Sequence, residues 1–239
     1  MDKLLYTGKA KKMYQTDDPE VLKVVYTNQA TALNGKKHDQ IKDKGELNNE
    51  ISTLIFQYLM KKGIPTHFIK KLNDTEELVK KCQMFPLEVV TRNVCAGHFA
   101  SRYGLKEGAP IAQPVEEMFY KSDELGDPMI NTSDILALSI ATQAEVDKIW
   151  ELTRKVNQLL KPLFADAGMR LVDFKLEFGK LADGSIVLAD EFSPDNCRLW
   201  DLKTNAHMDK DVYRRGLGSL TDTYEKVLAR VQKALDEEE

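Results

Sequence analysis

Two β-type stretches joined by a short turn constrain the fold of this chain more than any other feature. Residues 170–179 read RLVDFKLEFG and residues 185–192 read SIVLADEF, with Lys-Leu-Ala-Asp-Gly between them. The first stretch alternates apolar and polar side chains, as a β-strand with one buried face does. Its apolar positions are Val172, Phe174, Leu176 and Phe178. The pattern predicts an antiparallel hairpin with one face packed on a core.

The polar face of the same strand carries Asp173, Lys175 and Glu177. If the Asp-Gly pair forms a two-residue turn, Glu177 lies directly opposite Asp190. Directly opposed like charges destabilise a sheet unless a cation or a shared proton compensates, and paired hard oxygens suit Mg²⁺ held together with substrate phosphates. The spacing indicates a metal site at Glu177 and Asp190. The alternative is a polar face that simply contacts water.

Composition limits the class of protein. The chain has 239 residues, of which 42% are apolar and 30% charged, as in ordinary folded globular proteins. Its net charge of −4 lacks the bulk positive field of a nucleic-acid or membrane binder, so an anion site must be local. Three cysteines without CxxC spacing and an N-terminus without an apolar signal segment favour a cytoplasmic chain with reduced thiols.

The first third of the chain is predicted to be rich in strands. Residues 3–26 read as a strand meander whose first bend contains Gly8. Apolar residues then recur at helical spacing over residues 46–63. Residues 64–94 contain two more strand-like runs, and the segment DTEELVKKC between them predicts a short helix.

Two long helices are predicted in the rest of the chain. Thr142 and Glu145 form a T-x-x-E capping box before the first, and Gly168 ends it. The second is an amphipathic helix that begins near Leu220 and runs towards the acidic C-terminus.

A glycine bend with lysines is a candidate phosphate site. The segment GKAKK starts at Gly8 and places Lys9 and Lys11 beside the bend, where backbone N–H groups and ammonium groups can approach a phosphate. The segment is not a Walker A motif, because it lacks G-x-x-x-x-G-K-[ST] and no helix follows it. A solvated lysine-rich hairpin is the alternative.

Arginines follow two of the predicted strands. Arg92 comes after the apolar run PLEVV, and Arg198 comes after Asp195 in the loop beyond Asp190. An arginine at a strand end is suited to bidentate capture of phosphate or carboxylate, although a surface arginine remains the alternative. The nearby Cys-x-x-His spacing ending at His98 offers too few ligands for tetrahedral zinc, so no zinc site is predicted.

Taken together, these segments resemble the SAICAR synthetase (phosphoribosylaminoimidazole-succinocarboxamide synthase) family along the whole chain. The order of DFKLEFG and DEFSPD is the most specific part of the likeness. The matching segments are GKAKKMY (8–14), TALNGKKHDQIKDKGELNNEIS (31–52), PLEVVTRNVCAGHFASRYG (86–104), KSDELGDPM (121–129), LVDFKLEFGK (171–180), LADEFSPDNCRLWD (188–201) and MDKDVYRRGLGSL (208–220).

The resemblance implies an ATP-dependent ligase of purine biosynthesis. Such enzymes join the amine of L-aspartate to the carboxylate of carboxyaminoimidazole ribotide (CAIR). A carboxylate is a poor acyl electrophile, so ATP phosphorylates it, Mg²⁺ screens the phosphoryl group, and the amine displaces phosphate. The implied partners are ATP, Mg²⁺, CAIR, L-aspartate and a second copy of the chain in a homodimer.

The resemblance also implies roles for individual residues. Those implied to contact ATP are Gly8, Lys9 and Lys11 at the phosphates and Met84, Leu87 and Glu88 at the adenine. Those implied to bind substrate, chiefly the ribotide, are Arg92, His98, Arg198, Lys210 and Arg214; the resemblance does not place the L-aspartate contacts. Asp173 and Lys175 are implied to be catalytic, and Glu177 and Asp190 match the acidic Mg²⁺ pair of the family.

The chain departs from the family pattern at Leu33, where an aromatic residue is frequent among relatives, and at two further positions. His98 stands where many relatives carry Ser, and its imidazole can donate to a phosphate, more strongly when protonated. Asn34 stands where many relatives carry Asp.

The resemblance implies an α+β fold of two lobes, similar in general architecture to ATP-grasp and kinase-like folds. Residues 1–84 form the expected smaller β-rich lobe and residues 85–239 the larger one, with ATP between them. Two other functions stay open on the residues alone. One is a small-molecule or protein kinase, although the chain lacks H-R-D-x-x-x-x-N and D-F-G. The other is a nucleotide-binding module without catalysis.

Overall fold

The structure is a computed structural model that describes residues 3–32 and 37–238. Residues before Lys81 supply a five-stranded antiparallel sheet in the order β1-β2-β3-β7-β6, a separate β4-β5 hairpin and one helix. These elements are β1 (Lys3–Thr7), β2 (Lys11–Gln15), β3 (Val21–Tyr26), β4 (Gln29–Ala32), β5 (Lys37–Gln40), α1 (Lys44–Lys61), β6 (Phe68–Lys71) and β7 (Glu76–Lys80).

The meander at the start of the chain is confirmed. Strands β1 and β2 pair antiparallel, and the Gly8 N–H donates to the Lys11 carbonyl oxygen over 2.8 Å at the bend. The prediction of a short helix at DTEELVKKC (74–82) is wrong. Residues 76–80 form β7, between β3 and β6 in the sheet, because burying Glu77 and Val79 at a spacing of two suits a strand.

Residues after Cys82 build a second antiparallel sheet with helices on it. The long strand β12 lies at its centre and pairs with β8, β9, β13 and β14. The elements are β8 (Gln83–Met84), β9 (Leu87–Arg92), α2 (Gly97–Tyr103), β10 (Val115–Tyr120), β11 (Met129–Ile130), α3 (Thr132–Ala137), α4 (Gln143–Asp166), β12 (Met169–Lys180), β13 (Ile186–Ala189), β14 (Cys197–Asp201), α5 (Asp211–Arg215) and α6 (Leu220–Glu238).

The two predicted long helices are confirmed as α4 and α6. At the start of α4 the Thr142 N–H donates to Glu145 Oε2 over 2.7 Å, and the Glu145 N–H donates back to Thr142 Oγ1 over 3.3 Å. This reciprocal pair satisfies N–H groups that the first helical turn leaves without partners. Gly168 follows the helix in the left-handed region, with φ 71°, where a side chain is disfavoured.

The main core lies between the second sheet and helices α1, α4 and α6, so α1 packs on the same core as the later helices. Phe174, Leu176 and Phe178 face this core, as predicted. Val172 does not; it packs with Ala96 and Trp200 on the other side. The reason is a bulge in the β12–β14 pairing after Leu171, which shifts the alternation by one residue.

The register of the β12–β13 hairpin also differs from the prediction. Glu177 pairs with Ala189, not with Asp190. The Leu181 N–H donates to the Ser185 carbonyl oxygen over 2.9 Å, so these two residues close the hairpin and three residues form the turn. The last of the three, Gly184, has φ 86°. A three-residue loop that ends in left-handed glycine is a common hairpin connection, and it moves the partners by one position.

No helix in the part of the chain that the structure describes is both apolar enough and long enough to cross a lipid bilayer.

Candidate active site

The polar face of β12 carries an ammonium group surrounded by carboxylates. Lys175 Nζ lies 2.5 Å from Glu177 Oε1, 3.2 Å from Glu88 Oε1 on β9 and 3.8 Å from Asp190 Oδ2. Lys121 Nζ donates to the other oxygen of Glu177 over 2.6 Å. Burial works to lower the pKa of Lys175, but Glu177, Asp190 and Glu88 outweigh it and raise that pKa. The lysine is therefore a fixed positive charge.

Glu177 and Asp190 thus lie at one site even though the predicted register is wrong. Asp190 follows β13 with a left-handed backbone, φ 62°, which turns the chain out of the strand. Both carboxylates contact the same ammonium group of Lys175. The Glu177 side chain is 3% exposed, so the simple water-facing alternative for this strand is excluded.

Lys11 of the first sheet reaches the same site. Its ammonium group contacts Asp190 Oδ1 and lies 3.4 Å from Glu191 Oε2. Burial opposes charge on both Lys11 and Asp190, but their attraction outweighs it: the pKa of Lys11 is raised and that of Asp190 is lowered. Lys9, at the same bend, pairs over 2.7 Å with Asp123 in the exposed loop after β10. The bend at Gly8 therefore lies over the carboxylates of the second sheet.

The donor set suits a divalent cation. Glu177 and Asp190 offer hard carboxylate oxygens around one point, which is the ligand type that Mg²⁺ accepts alongside phosphate oxygens. Lysine ammonium groups neutralise these carboxylates in the structure, and ammonium groups are also suited to contact phosphates. The residues present therefore fit Mg²⁺.

A second acidic group does not suit a metal. Ligand atoms of His207, Asp209 and Asp211 lie within 4.8 Å of one another. Asp211, however, already accepts Arg198 Nε over 2.9 Å and Arg214 over 2.8 Å, so guanidinium groups neutralise it. Burial and the neighbouring Asp211 carboxylate raise the pKa of Asp209 to about 7. A further cation would meet the arginines at close range.

The connection between the two sheets passes through the predicted adenine segment. Met84 is 41% exposed and pairs with Gly179 of β12. The Leu87 side chain is buried in the main core, so this residue offers only its backbone to a ligand. The Glu88 side chain is half-buried and contacts Lys175, which joins this connection to the carboxylate site.

The predicted arginines meet at a buried ion-pair network. Arg92 Nη1 and Arg198 Nη1 both donate to Asp173 Oδ2, over 3.0 and 2.9 Å. Arg198 and Arg214 then share Asp211, as described above. Burial works to lower the pKa of Arg198, but Asp173 and Asp211 outweigh it and raise that pKa. The network brings together fork-shaped guanidinium donors, the geometry that suits a phosphate.

The start of α2 packs against this arginine network. Gly97 has φ 53°, and a Cβ on it would lie 2.6 Å from an Arg198 guanidinium nitrogen. Only glycine therefore allows the guanidinium to pack against the backbone here. His98 follows with an exposed side chain, next to this contact. Leu33 and Asn34 lie outside the described residues.

Lys210 lies beside the arginines and pairs with Asp195. Its ammonium group is 3.0 Å from Asp195 Oδ2, and the buried Lys44 of α1 contacts the same oxygen over 2.7 Å. Asp195 lies in the loop between β13 and β14, but Arg198, predicted in the same loop, is the second residue of β14. The loop therefore connects the carboxylate site to the arginine network.

Sequence reasoning missed the partners that hold these groups. The residues concerned are Lys44, Glu77, Glu117, Lys121, Asp123, Glu191, Asp211 and Tyr224. Five of them lie inside the family-like segments, which are a usable signal: Lys44, Lys121, Asp123, Glu191 and Asp211. Glu77, Glu117 and Tyr224 lie outside those segments and pair with residues distant in sequence, so no local pattern marks them.

The arrangement defines an α+β enzyme site for phosphate-bearing substrates, because lysines and carboxylates of two sheets face each other beside a guanidinium network. The sequence matches the SAICAR synthetase family over residues 4–231. It is 60% identical to the phosphoribosylaminoimidazole-succinocarboxamide synthase of Limosilactobacillus fermentum, covering 99% of each chain.

Solved structures agree with the sequence comparison. The Ehrlichia chaffeensis phosphoribosylaminoimidazole-succinocarboxamide synthase superimposes with a TM-score of 0.94 at 45% identity, covering 96% of this chain and 98% of the other. A SAICAR synthetase in complex with ADP superimposes with a TM-score of 0.92 at 46% identity, covering 96% and 97%. This chain belongs to the SAICAR synthetase family, and the predicted α+β fold is confirmed.

Proposed function

We propose that this chain is an ATP-dependent ligase that joins L-aspartate to the carboxylate of CAIR, giving SAICAR, ADP and phosphate in purine biosynthesis. The observation that carries the proposal is the meeting of Lys11, Lys175, Glu177 and Asp190 at one site in a chain of this family. A relative of the same fold binds ADP, which supports ATP as the phosphoryl donor.

For ATP we propose a site at the facing sides of the two sheets. Gly8, Lys9 and Lys11 would contact the phosphates, since their N–H and ammonium groups lie at one bend. The connection formed by Met84, Leu87 and Glu88 would receive the adenine. Its half-exposed Met84 supports this assignment, because a base needs an apolar surface to pack on.

For Mg²⁺ we propose Glu177 and Asp190 as protein ligands. When bound, the ion screens the charge of the phosphates and makes the terminal phosphorus more electrophilic. The lysines do the complementary work: Lys175 neutralises the CAIR carboxylate as it approaches, and Lys11 holds the phosphates in line.

For the ribotide we propose the guanidinium network. Arg92, Arg198 and Arg214 would bind its phosphate, with His98 as a further donor at the start of α2. Asp173 accepts hydrogen bonds from two of these arginines and lies two residues from Lys175, which supports a position for the imidazole carboxylate next to the phosphoryl donor. Lys210 belongs to the same substrate site.

The chemistry then runs in two steps. A CAIR carboxylate oxygen attacks the terminal phosphorus of ATP, a P–O bond forms, and ADP leaves, which gives an acyl phosphate. The aspartate nitrogen attacks the acyl carbon, phosphate leaves with the electrons of the C–O bond, and the nitrogen loses a proton to become the amide. Positioning and electrostatics carry both steps.

We further propose that residues 1–84 and 85–239 act as two lobes with the nucleotide between them, and that the enzyme is a cytoplasmic homodimer that binds neither nucleic acid nor membrane. The first sheet supports a separate first lobe, since it uses only residues before Lys81. Helix α1 and strand β8 (Gln83–Met84), however, pack with the larger lobe.

An ADP-release assay tests the function. We expect ADP and phosphate in equal amounts only when CAIR and L-aspartate are both present. Release with CAIR alone, and phosphorylated CAIR as the product, would indicate a kinase. Binding of ATP without turnover in any substrate combination would indicate a non-catalytic module.

A further inference from the structure

Strands β2 and β3 carry two lysine–tyrosine pairs on opposite faces of the first sheet. Lys11 lies directly opposite Tyr26, and Tyr14 lies directly opposite Lys23. The Lys11 ammonium group is 5.4 Å from the centre of the Tyr26 ring, and the Lys23 ammonium group is 5.5 Å from that of the Tyr14 ring. Because side chains alternate along a strand, the two pairs face opposite sides of the sheet. The sheet thus contains two pairs of the same geometry in different surroundings.

The Lys11 pair is the one of the two that faces the carboxylates of the second sheet. The Lys11 ammonium group contacts Asp190 and lies 3.4 Å from Glu191 Oε2. The Lys23 ammonium group lies 3.5 Å from Glu76 Oε1, within the first sheet. The two lysine side chains are similarly shielded, with 17% and 21% of their surface exposed. The pairs therefore differ in what they face and not in how far they are buried.

The Tyr26 ring is held in place by packing and by a hydrogen bond. The residue is 3% exposed and packs with Val24 and Val79. Its hydroxyl donates to Glu77 Oε1 over 3.1 Å, and Glu77 lies on β7, the strand next to β3. Lys11, Tyr26 and Glu77 therefore form a row across three neighbouring strands on one face of the sheet. The ring offers a fixed surface to the ammonium group beside it.

A fixed ring matters because a lysine side chain is long and flexible. Ordering such a side chain costs conformational entropy, and a contact that orders it before binding lowers this cost. Asp190 is proposed above as a metal ligand, so its oxygens are shared between an ion and Lys11. The Tyr26 ring is buried and uncharged, so an ion does not compete for it. A cation that is shielded from water is attracted to the face of such a ring.

We propose that Tyr26 is a positioning residue that acts on Lys11: its ring holds the ammonium group between the bend at Gly8 and Asp190 and so raises the affinity for nucleotide phosphates. The proposal rests on the ligase function proposed above and on the assignment of Lys11 to ATP. Tyr26 itself makes no contact with substrate. Its effect on nucleotide binding therefore requires Lys11.

Calorimetric titration of ADP in the presence of Mg²⁺ tests this on Tyr26→Leu, Lys11→Met and the double variant. We expect the Kd for ADP to rise about fivefold in Tyr26→Leu, the effect of one lost cation–ring contact. It rises about tenfold or more in Lys11→Met, and adding Tyr26→Leu to that variant changes it by less than about twofold. The KM for CAIR in Tyr26→Leu stays at the wild-type value. Single effects that multiply in the double variant would overturn the proposal.

A fluorinated ring separates the charge distribution of the ring from its shape. Trifluorophenylalanine in place of Tyr26 has nearly the size of phenylalanine, but the negative face of its ring is weakened. We expect Tyr26→Phe to keep the Kd for ADP within about twofold of wild type and the fluorinated variant to raise it about threefold above Tyr26→Phe. Circular dichroism checks the fold of both. Equal Kd values in these two variants would overturn the proposal.

The second lysine–tyrosine pair supplies the matched control. Tyr14→Leu removes a ring of the same kind of pair from the opposite face of the same two strands. This variant keeps the wild-type Kd for ADP. A rise equal to that in Tyr26→Leu would trace the effect to packing of the sheet and overturn the proposal. A wild-type enzyme that binds no ADP in the presence of Mg²⁺ would instead overturn the ligase function.

Discussion

The Lys175 ammonium group lies 2.5 Å from Glu177 Oε1, two residues further along the same strand. Residues two apart on a strand share a face, so the backbone itself places a fixed positive charge beside a carboxylate. The lysine neutralises that carboxylate in the free protein. In the mechanism proposed above, the same pair lies beside the phosphoryl donor and its acceptor.

Neutralising either carboxylate should remove turnover and leave the fold intact. We expect Glu177→Gln and Asp190→Asn each to lower kcat at least about a hundredfold, because the charge that holds the metal and phosphates is lost. Circular dichroism and kcat at saturating Mg²⁺ are the measurements. Glu151→Gln, on the exposed face of α4, serves as the control. Near-normal rates in both site variants would count against the metal assignment.

Removing the Lys11 ammonium should weaken nucleotide binding. In Lys11→Met we expect the KM for ATP to rise about tenfold or more, since one charged contact to phosphate is lost. The stabilisation that ADP gives in a thermal shift assay falls in parallel. Lys12→Met is the matched control, because adjacent side chains on a strand point to opposite faces. An equal rise in the KM for ATP in the two variants would contradict the assignment of Lys11 to the phosphates.

Gly97 should be required for ribotide binding. Gly97→Ala places a methyl group 2.6 Å from the Arg198 guanidinium, so we expect the KM for CAIR to rise about tenfold. Gly104→Ala has a similar φ, 63°, but nothing lies within 4 Å of its Cβ. Both variants lose about 1–2 kcal/mol of stability from the left-handed backbone. The prediction is wrong if the two variants have the same KM for CAIR.

Glu77 should make stability depend on pH. This carboxyl is 1% exposed and accepts the Tyr26 hydroxyl over 3.1 Å. Burial, opposed by Lys11, raises its pKa to about 7. Because the folded state then holds a proton that the unfolded state releases, stability falls as pH rises from 4.5 to about 7 and stays low above it.

Urea unfolding of Glu77→Gln tests the sign. The variant carries no charge, so we expect it to be little different from wild type at pH 5 and more stable by an amount of the order of 3 kcal/mol at pH 8. Glu20→Gln, at an exposed position, changes neither value. A gap between Glu77→Gln and wild type that does not grow with pH would contradict the raised pKa.

The sequence predicted the elements that local signals define. The capping box at Thr142 and Glu145 and the glycine after α4 are short-range features, and both are present. The predicted register of the β12–β13 hairpin was wrong by one residue, because an Asp-Gly pair alone does not set the length of the turn. The helix predicted at residues 74–82 is a strand in the structure. The stretch is short, so its apolar spacing alone does not distinguish a strand from a helix, and its pairing with β3 and β6 decides the outcome.

The candidate site was predictable in its chemistry and not in its partners. Asp173, Lys175 and Glu177 follow from the alternation of β12, whereas Asp190 was predicted from a hairpin register that the structure does not have. The contact between Tyr224 and Asp195, and that between Lys44 and Asp195, join residues 29 and 151 positions apart. Such pairs depend on how helices pack on the sheet, which no local pattern encodes.

The most direct test of the account is the fate of the carboxylate oxygen of CAIR. The enzyme is given CAIR labelled with ¹⁸O in its carboxylate, together with ATP and L-aspartate, and the released phosphate is examined by ³¹P NMR. If the carboxylate is phosphorylated at the site of Lys175, Glu177 and Asp190, the phosphate carries one ¹⁸O for each SAICAR formed. Unlabelled phosphate accompanied by SAICAR would contradict it.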